Sequence, residues 1–296
     1  MKKIFICLLC VVMLCGCCKI SPQNHNEKLT IVTTIFPLYD FARQICGDKA
    51  EIKMLIKPSS EVHSYDPLPS DMASIYNSDL FLYIGGESDN WVENLLDDND
   101  VNALALIDCI GHNAQHHHGH DHADEHIWTS PENAVLMIEK IYEDIIKVDD
   151  KNEDYYKKNC DEYIKKINVA SQKIESTVSE YKNPFILVAD RFPFVYLTKH
   201  YGIDYEAAFD GCAVSTDISM KTMSRLTKTI KSKGVKTVFV TELSNQNIAN
   251  ALKEELGVEI VELHSAHNVS RDDFNGGISY VDIMYRNGKA LERGLQ

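Results

Sequence analysis

A chain of 296 residues with 44% apolar residues and a formal charge of −14 has the material for one large core or two of ordinary size. Its acidity excludes a nucleic-acid reader, whose phosphate contacts demand a basic face, and suits a surface that handles cations. The nine cysteines suggest a disulfide scaffold until they are placed: Cys7, Cys10, Cys15, Cys17 and Cys18 crowd the start, while Cys46, Cys109, Cys160 and Cys212 are far apart with no C-x-x-C pair, which excludes a zinc ribbon and leaves any disulfide pairing open.

The chain opens with Lys2 and Lys3, followed by an apolar run from Ile4 to Leu14. A membrane span needs about 20 residues, so residues 1–16 read as a signal peptide rather than an anchor. The run ends in Leu14-Cys15-Gly16-Cys17, a lipobox-like pattern that places cleavage after Gly16 and acylation on Cys17; plain cleavage and a register using Cys18 are the alternatives. Residues 17–28 are then a polar tether. The expected location is the extracytoplasmic face of the cell membrane, held by lipid.

From Leu29 strand and helix signals alternate. Thr30–Ile35 is a β-branched strand, followed by an amphipathic helix over Leu38–Ile45. A strand over Glu51–Ile56 breaks at Lys57-Pro58-Ser59-Ser60. A helix over Pro69–Tyr76, a buried strand over Leu80–Ile84, a short helix over Trp91–Leu96 and a strand over Ala103–Ile107 complete the set. A second set comprises strands at Phe185–Ala189, Tyr205–Phe209, Thr237–Thr241 and Glu259–Glu262, with helices over Phe194–Tyr201, Met220–Lys231, Asn245–Leu256 and Tyr280–Glu292. Strands alternating with helices predict an α/β protein with parallel sheets. The stretch between the sets is almost free of Gly and Pro. Pro131 opens a helix, Ala134, Ile138, Ile141 and Ile145 recur at helical spacing, and Asp149-Asp150-Lys151-Asn152 is a polar break. A second helix near Asn152–Tyr181 would run about 40 Å, long enough to bridge two lobes or to lie along one. The division expected is an N-terminal lobe over 29–150, a linking helix over 151–182 and a C-terminal lobe over 183–296.

Seven of the twelve histidines fall between His112 and His126. His112, His116, His117, His118, His120 and His122, interleaved with Asp121, Asp124 and Glu125, offer too many alternative ligand sets to define one geometry. Residues 112–126 therefore read as an accessory loop that collects metal, or as a solvated polar loop. Neutral imidazole suits zinc, copper and nickel. H-E-x-x-H is absent, since Ala123 stands where its glutamate would be; neither a Walker motif nor a G-x-S-x-G elbow is present. An enzyme is thus not expected. Three other positions carry more information. His63 lies in the loop after the second strand, His126 directly precedes the Pro131 helix, and His264 follows the strand Glu259–Glu262, with His267 three residues on. In parallel sheets such loops gather at the carboxyl ends of the strands, where these side chains could converge.

These features together resemble the solute-binding lipoproteins of zinc and manganese ABC importers. The resemblance runs over nearly the whole chain after the leader: Thr33-Thr34-Ile35-Phe36-Pro37, the proline loop leading to His63, Ser78-Asp79-Leu80-Phe81-Leu82-Tyr83-Ile84-Gly85-Gly86 with Trp91, His126-Ile127-Trp128 with Pro131-Glu132-Asn133, Tyr196 with Tyr201-Gly202, and Thr241-Glu242. A His-rich loop before the second ligand is similar to that of zinc-specific members. The resemblance implies two α/β lobes joined by a long rigid helix, with the metal between them. It carries the first two ligands to His63 and His126 and the fourth to His264. The third falls on Arg191, which cannot ligate a cation; Asp190, one residue earlier, is the expected substitute, with Asp217, His267 or water as the other candidates and Arg191 paired to Asp190 or another carboxylate.

The implied function is capture of zinc, with manganese possible, by a monomeric lipoprotein that hands the ion to an ABC permease and its ATPase. Manganese or nickel binding, broad metal specificity, and a surface adhesin with a structural metal site are the alternatives; a zinc hydrolase is disfavoured because no general base accompanies a histidine pair. Histidine-rich ligation favours zinc over manganese or magnesium, and affinity is expected to fall as pH drops through about 6.5.

Overall fold

The computed structural model describes residues 28–97, 100–113, 124–209, 211 and 219–296. The leader, Cys17, most of the tether, His116 to His122, Cys212 and Asp217 lie outside them.

The first sheet contains β1 (Leu29–Thr33), β2 (Ala50–Met54), β3 (Leu80–Tyr83) and β4 (Ala103–Ala105) in the order β2-β1-β3-β4. The second contains β5 (Phe185–Val188), β6 (Asp204–Ala207), β7 (Thr237–Val240) and β8 (Glu259–Glu262) in the equivalent order β6-β5-β7-β8. Every pairing is parallel, as expected of strands joined through helical crossovers. The central strands β5 and β7 are buried at every residue, because helices cover both faces of such sheets. In the first lobe α1 (Phe36–Cys46), α2 (Pro69–Tyr76) and α3 (Asn90–Asp97) follow β1, β2 and β3. In the second, α6 (Val195–Tyr201), α7 (Met220–Lys233) and α8 (Asn247–Leu256) follow β5, β6 and β7.

Between the sheets run α4 (Pro131–Val148) and α5 (Glu153–Val178). Helix α4 starts where Ser130 accepts from the Asn133 amide and proline fills the first turn. At 26 residues, α5 is about 39 Å long, with Glu153 and Asp154 in its first turn complementing the helix dipole. It buries Tyr156, Cys160, Tyr163, Ile167, Ala170, Ile174 and Val178, a stripe at helical spacing. That stripe packs on α1 and α4 of the first lobe and on α10 (Tyr280–Gly294) of the second. The long helix therefore belongs to both lobes. A short α9 (Arg271–Asn275), capped by Ser270, lies between β8 and α10 in addition to the expected helices.

Period-two alternation divides the apolar residues between cores. Ile31, Leu82, Ile186 and Val188 point inward and join Tyr163, Ile167, Ile283 and Leu291 in one continuous cluster. Their neighbours Val32 and Phe81, and Leu187 and Val238, face outward onto α2–α3 and α7–α8, in two separate clusters. One shared core thus spans the molecule, with a satellite core on each flank. Among the described residues Cys46, Cys109 and Cys160 are free. Burial pushes the Cys46 thiol up to about 12 and those of Cys109 and Cys160 up to about 11. No described helix is long and apolar enough to cross a membrane.

The lobes are also tied through main-chain groups. The Ser59 amide donates to the Val269 carbonyl at 2.9 Å. Asn268 Nδ2 donates to the carbonyls of Lys57 and Ser60 at 2.9 and 2.7 Å. Trp128, fully buried, donates from Nε1 to the Ser265 carbonyl at 2.8 Å. Deeper in the core Asp40 of α1 accepts from the Tyr280 amide at 2.8 Å and from the hydroxyl of Tyr163, while Arg43 pairs with Asp40 and donates to the Ile278 carbonyl at 2.8 Å.

Candidate metal centre

The loops that carry ligand-type residues leave the carboxyl ends of the strands, and the order of both sheets brings those ends to the interlobe cleft. His63 comes from the β2–α2 loop, Glu125 and His126 from the segment before α4, and His267 from the loop after β8. One donor atom from each of these four residues lies within 4.8 Å of all the others. Four donors on a zinc tetrahedron with bonds of about 2.0–2.1 Å stand about 3.3 Å apart, so side-chain adjustments on the ångström scale close the set around an ion.

The three imidazoles surround a common point. Ring centroids are 5.0 Å apart for His63–His267 and for His126–His267, and 6.1 Å apart for His63–His126. Their tautomers follow from their neighbours. Ser88 Oγ gives its single proton to Glu125 Oε1, so its contact with His63 Nδ1 at 3.0 Å requires the imidazole to be the donor. His126 Nδ1 faces Asp124 Oδ1 at 3.2 Å, and a carboxylate only accepts. Both rings thus carry a proton on Nδ1 and turn Nε2 away from these partners, the orientation that outer-shell acceptors such as the Asp124 carboxylate impose on metal-binding histidines. Asp124 also accepts the His126 amide at 2.8 Å, and Tyr196 Oη pins the Asp124 carbonyl at 2.9 Å. Trp128 lies beneath, with ring centroids 5.2 Å from His126 and 4.9 Å from His267.

Glu125 and Asp124 are both buried. Beside imidazoles, which add no negative charge, the two carboxylates make a site that a divalent cation suits; buried charge without such a partner is costly. Glu125 reaches the site because Gly86 makes room. A Cβ at Gly86 would lie 2.4 Å from Glu125 Cβ, so the Gly85-Gly86 turn after β3 is part of the site's construction. Ser88 holds Glu125 from the same turn, its amide donating to Oε2 at 3.0 Å. Asp89 accepts the amides of Ile84 and Gly85, and burial raises its carboxyl to about 6.

The structure brings His63 and His126 together and sets His264 apart. His264 Nδ1 accepts from the Ala266 amide at 2.9 Å, while its backbone exchanges hydrogen bonds with Asn287, both at 2.8 Å. Between it and His267 the chain turns through Ala266, whose φ of 62° is the left-handed region, so the two histidines point to different places. Asp190 does not join the cluster either. Its carboxylate accepts from the Arg191 amide and from the amide and hydroxyl of Thr241, at 2.8, 3.3 and 2.9 Å, tying β5 to β7. Arg191 sends its side chain to Glu61 at 3.1 Å rather than to Asp190. His112 lies in the 3-10 stretch Leu106–Asn113, apart from the cluster. In the sequence Glu125 reads as one acid of a polar loop, and its only local signal is its place beside His126.

Burial, with the neighbouring His126 and His63, holds the His267 imidazole well below its ordinary value of 6.5, so it is neutral and able to ligate. Unfolded chains take up this proton below about 6.5 while the native state does not, and metal-free protein therefore loses stability through His267 as pH falls from there. Asp89 acts with the opposite sign, because its raised value favours the native state at low pH. Thermal melts at pH 7 and pH 5 should isolate the histidine: wild type should lose stability relative to His267→Gln on acidification. An unchanged difference would show that His267 is not held neutral.

A family model described as the zinc-uptake complex component A, periplasmic, matches residues 31–294. The chain is 30% identical to the high-affinity zinc uptake system protein ZnuA of Bacillus subtilis over 99% of its own length and 97% of that protein. It is 29% identical to the zinc-binding lipoprotein AdcA of Streptococcus pneumoniae, spanning 61% of that longer protein. Among solved structures it is similar to the metal-dependent lipoprotein YcdH of Bacillus subtilis, with 29% identity and a TM-score of 0.79 over 90% of this chain and 99% of the other. The Zn(II)-bound ZnuA-like domain of Streptococcus pneumoniae AdcA gives 28% identity and a TM-score of 0.78 over 90% and 99%. With its two parallel sheets, shared long helix and histidine cluster in the cleft, the chain belongs to the zinc-uptake complex component A family, a transport component and not an enzyme.

Proposed function

We propose that this protein captures zinc outside the cytoplasm and delivers it to an ABC permease. The observation that carries the reading is the convergence of His63, Glu125 and His126 with His267, from both lobes, within 4.8 Å. Three neutral imidazoles bind the ion through nitrogen, Glu125 supplies the fourth donor, and Asp124 behind His126 adds charge without occupying a coordination position. Such a nitrogen-rich set favours zinc over manganese, which prefers oxygen donors. Capture is reversible and forms no covalent bond. The resemblance to zinc-uptake lipoproteins supports a lipid anchor on Cys17 after removal of residues 1–16, a monomer working beside the permease and its ATPase, and a collecting role for the stretch His112 to His122. Calorimetry on metal-stripped protein with zinc, manganese and nickel tests the reading. Zinc should bind most tightly, and His63→Ala with His126→Ala should weaken it by more than about 100-fold, beyond what loss of an outer-shell partner costs. Unchanged zinc binding in that double variant overturns the site.

A further inference from the structure

The imidazole cluster opens into a cleft of about 660 Å³, lined by His63 and His267 together with Arg191, Thr241, Ser244 and Asn245. One ion needs a small part of that space; the volume lies in the range of about 300–1,000 Å³ typical of small-molecule sites. Arg191 gives the cleft a permanent positive charge. Its Nη1 donates to Glu61, whose side chain is half exposed, so this pair is screened by solvent. Arg191 Nε is buried and has no hydrogen-bond partner among the described residues, a donor that is costly to leave unmade. Arg191 lines the same cleft as His63 and His267, and a like charge near a cation site lowers its affinity for the ion. The guanidinium edge matches a carboxylate in geometry and charge.

Resting on the metal-capture reading above, we propose that the cleft takes the ion together with a small carboxylate anion, one oxygen joining the metal as a fifth donor and the other accepting from Arg191 Nε–H. Zinc expands to five ligands without electronic penalty, and the step makes no covalent bond and transfers no electron. Arg191 then changes from a repulsive neighbour into the group that fixes the anion and, through it, the ion.

Cobalt(II) reports the coordination number directly. Metal-stripped protein is loaded with cobalt(II) in sodium perchlorate and titrated with sodium acetate at constant ionic strength, with visible absorption and equilibrium dialysis as readouts. Acetate should saturably reduce the intensity of the four-coordinate d–d bands and raise cobalt affinity about tenfold, the worth of one charge-assisted contact. In Arg191→Gln the ratio of affinities with and without acetate should fall to about one. A wild-type spectrum indifferent to acetate, or an Arg191→Gln protein that responds as wild type does, overturns the anion proposal while leaving metal capture intact. Absence of cobalt and zinc binding in perchlorate and in acetate alike overturns metal capture itself, and the anion with it.

Discussion

Replacing His267 with alanine is expected to lower zinc affinity by more than about 100-fold, whereas His264→Ala should leave zinc affinity nearly unchanged and cost stability instead. The two residues stand three apart in one loop, and the difference lies in what each imidazole touches. His267 presents its ring to His63 and His126 at 5.0 Å and is kept unprotonated by burial, so its lone pair is available at neutral pH. His264 has already committed Nδ1 to the Ala266 amide and lines a small cavity with Tyr201, Tyr280 and Asn287. Its removal strands a buried amide and enlarges that cavity, for about 2–4 kcal/mol. In a chain of this size each kcal/mol is worth about 2–4 °C, so Tm should fall by roughly 4–16 °C. Zinc calorimetry and thermal melts on both variants settle the assignment. Lost zinc binding in His264→Ala with binding retained in His267→Ala would reverse it.

Asp40→Ala is expected to be the most destabilising single change away from the metal. Asp40 is fully buried and serves four donors: Arg43, Tyr163 Oη, Gln44 Nε2 at 3.2 Å and the Tyr280 amide at 2.8 Å. It joins α1 to α5 and to the start of α10, so its loss leaves a guanidinium without its counter-charge and a phenol and an amide without their acceptor. Removing one partner of a buried charged pair costs about 3–5 kcal/mol, or a fall in Tm of about 6–20 °C. Burial and the Asp40 charge hold the Tyr163 phenol well above its usual range, so this hydroxyl stays a donor at every physiological pH. Asp40→Asn keeps the shape and should recover part of the loss. Equal melting of Asp40→Ala and wild type would remove Asp40 from the frame.

The eight strands and the long helix could be read from the chain because each carries a local pattern strong enough to survive burial. Val238 and Phe239 lie on opposite faces of β7, and the stripe from Tyr156 to Val178 along α5 repeats at helical spacing. His63 and His126 were legible for a related reason: parallel sheets deliver strand-end loops to one crevice, and both histidines sit in such loops. The loop after β8 was not legible to single-residue accuracy. Its register depends on Ala266 adopting a left-handed conformation that a residue with a Cβ rarely takes, and nothing in Leu263-His264-Ser265-Ala266-His267 announces it. Asp190 misled for the converse reason. It stands at a strand end as a ligand would, yet the nearest unpaired groups are the amide and hydroxyl of Thr241, and a carboxylate saturated by local donors has no call to reach across a cleft. Glu125 depended on a distant glycine, a long-range fit that spacing along the chain does not encode.

The main-chain ties between the lobes have a consequence for exchange kinetics. Asn268 bridges two carbonyls of the first lobe, Val269 accepts from Ser59, and Ser265 accepts from Trp128, all within four residues of His267. A clamshell opening would have to break every one of these bonds to expose the ion. Ion release is therefore expected to need only local rupture of the ties between the His63 and His267 loops while the shared core stays shut. The spontaneous off-rate then follows the local stability of one loop rather than a hinge equilibrium. A membrane partner that pulls on that loop acts as a catalyst of dissociation.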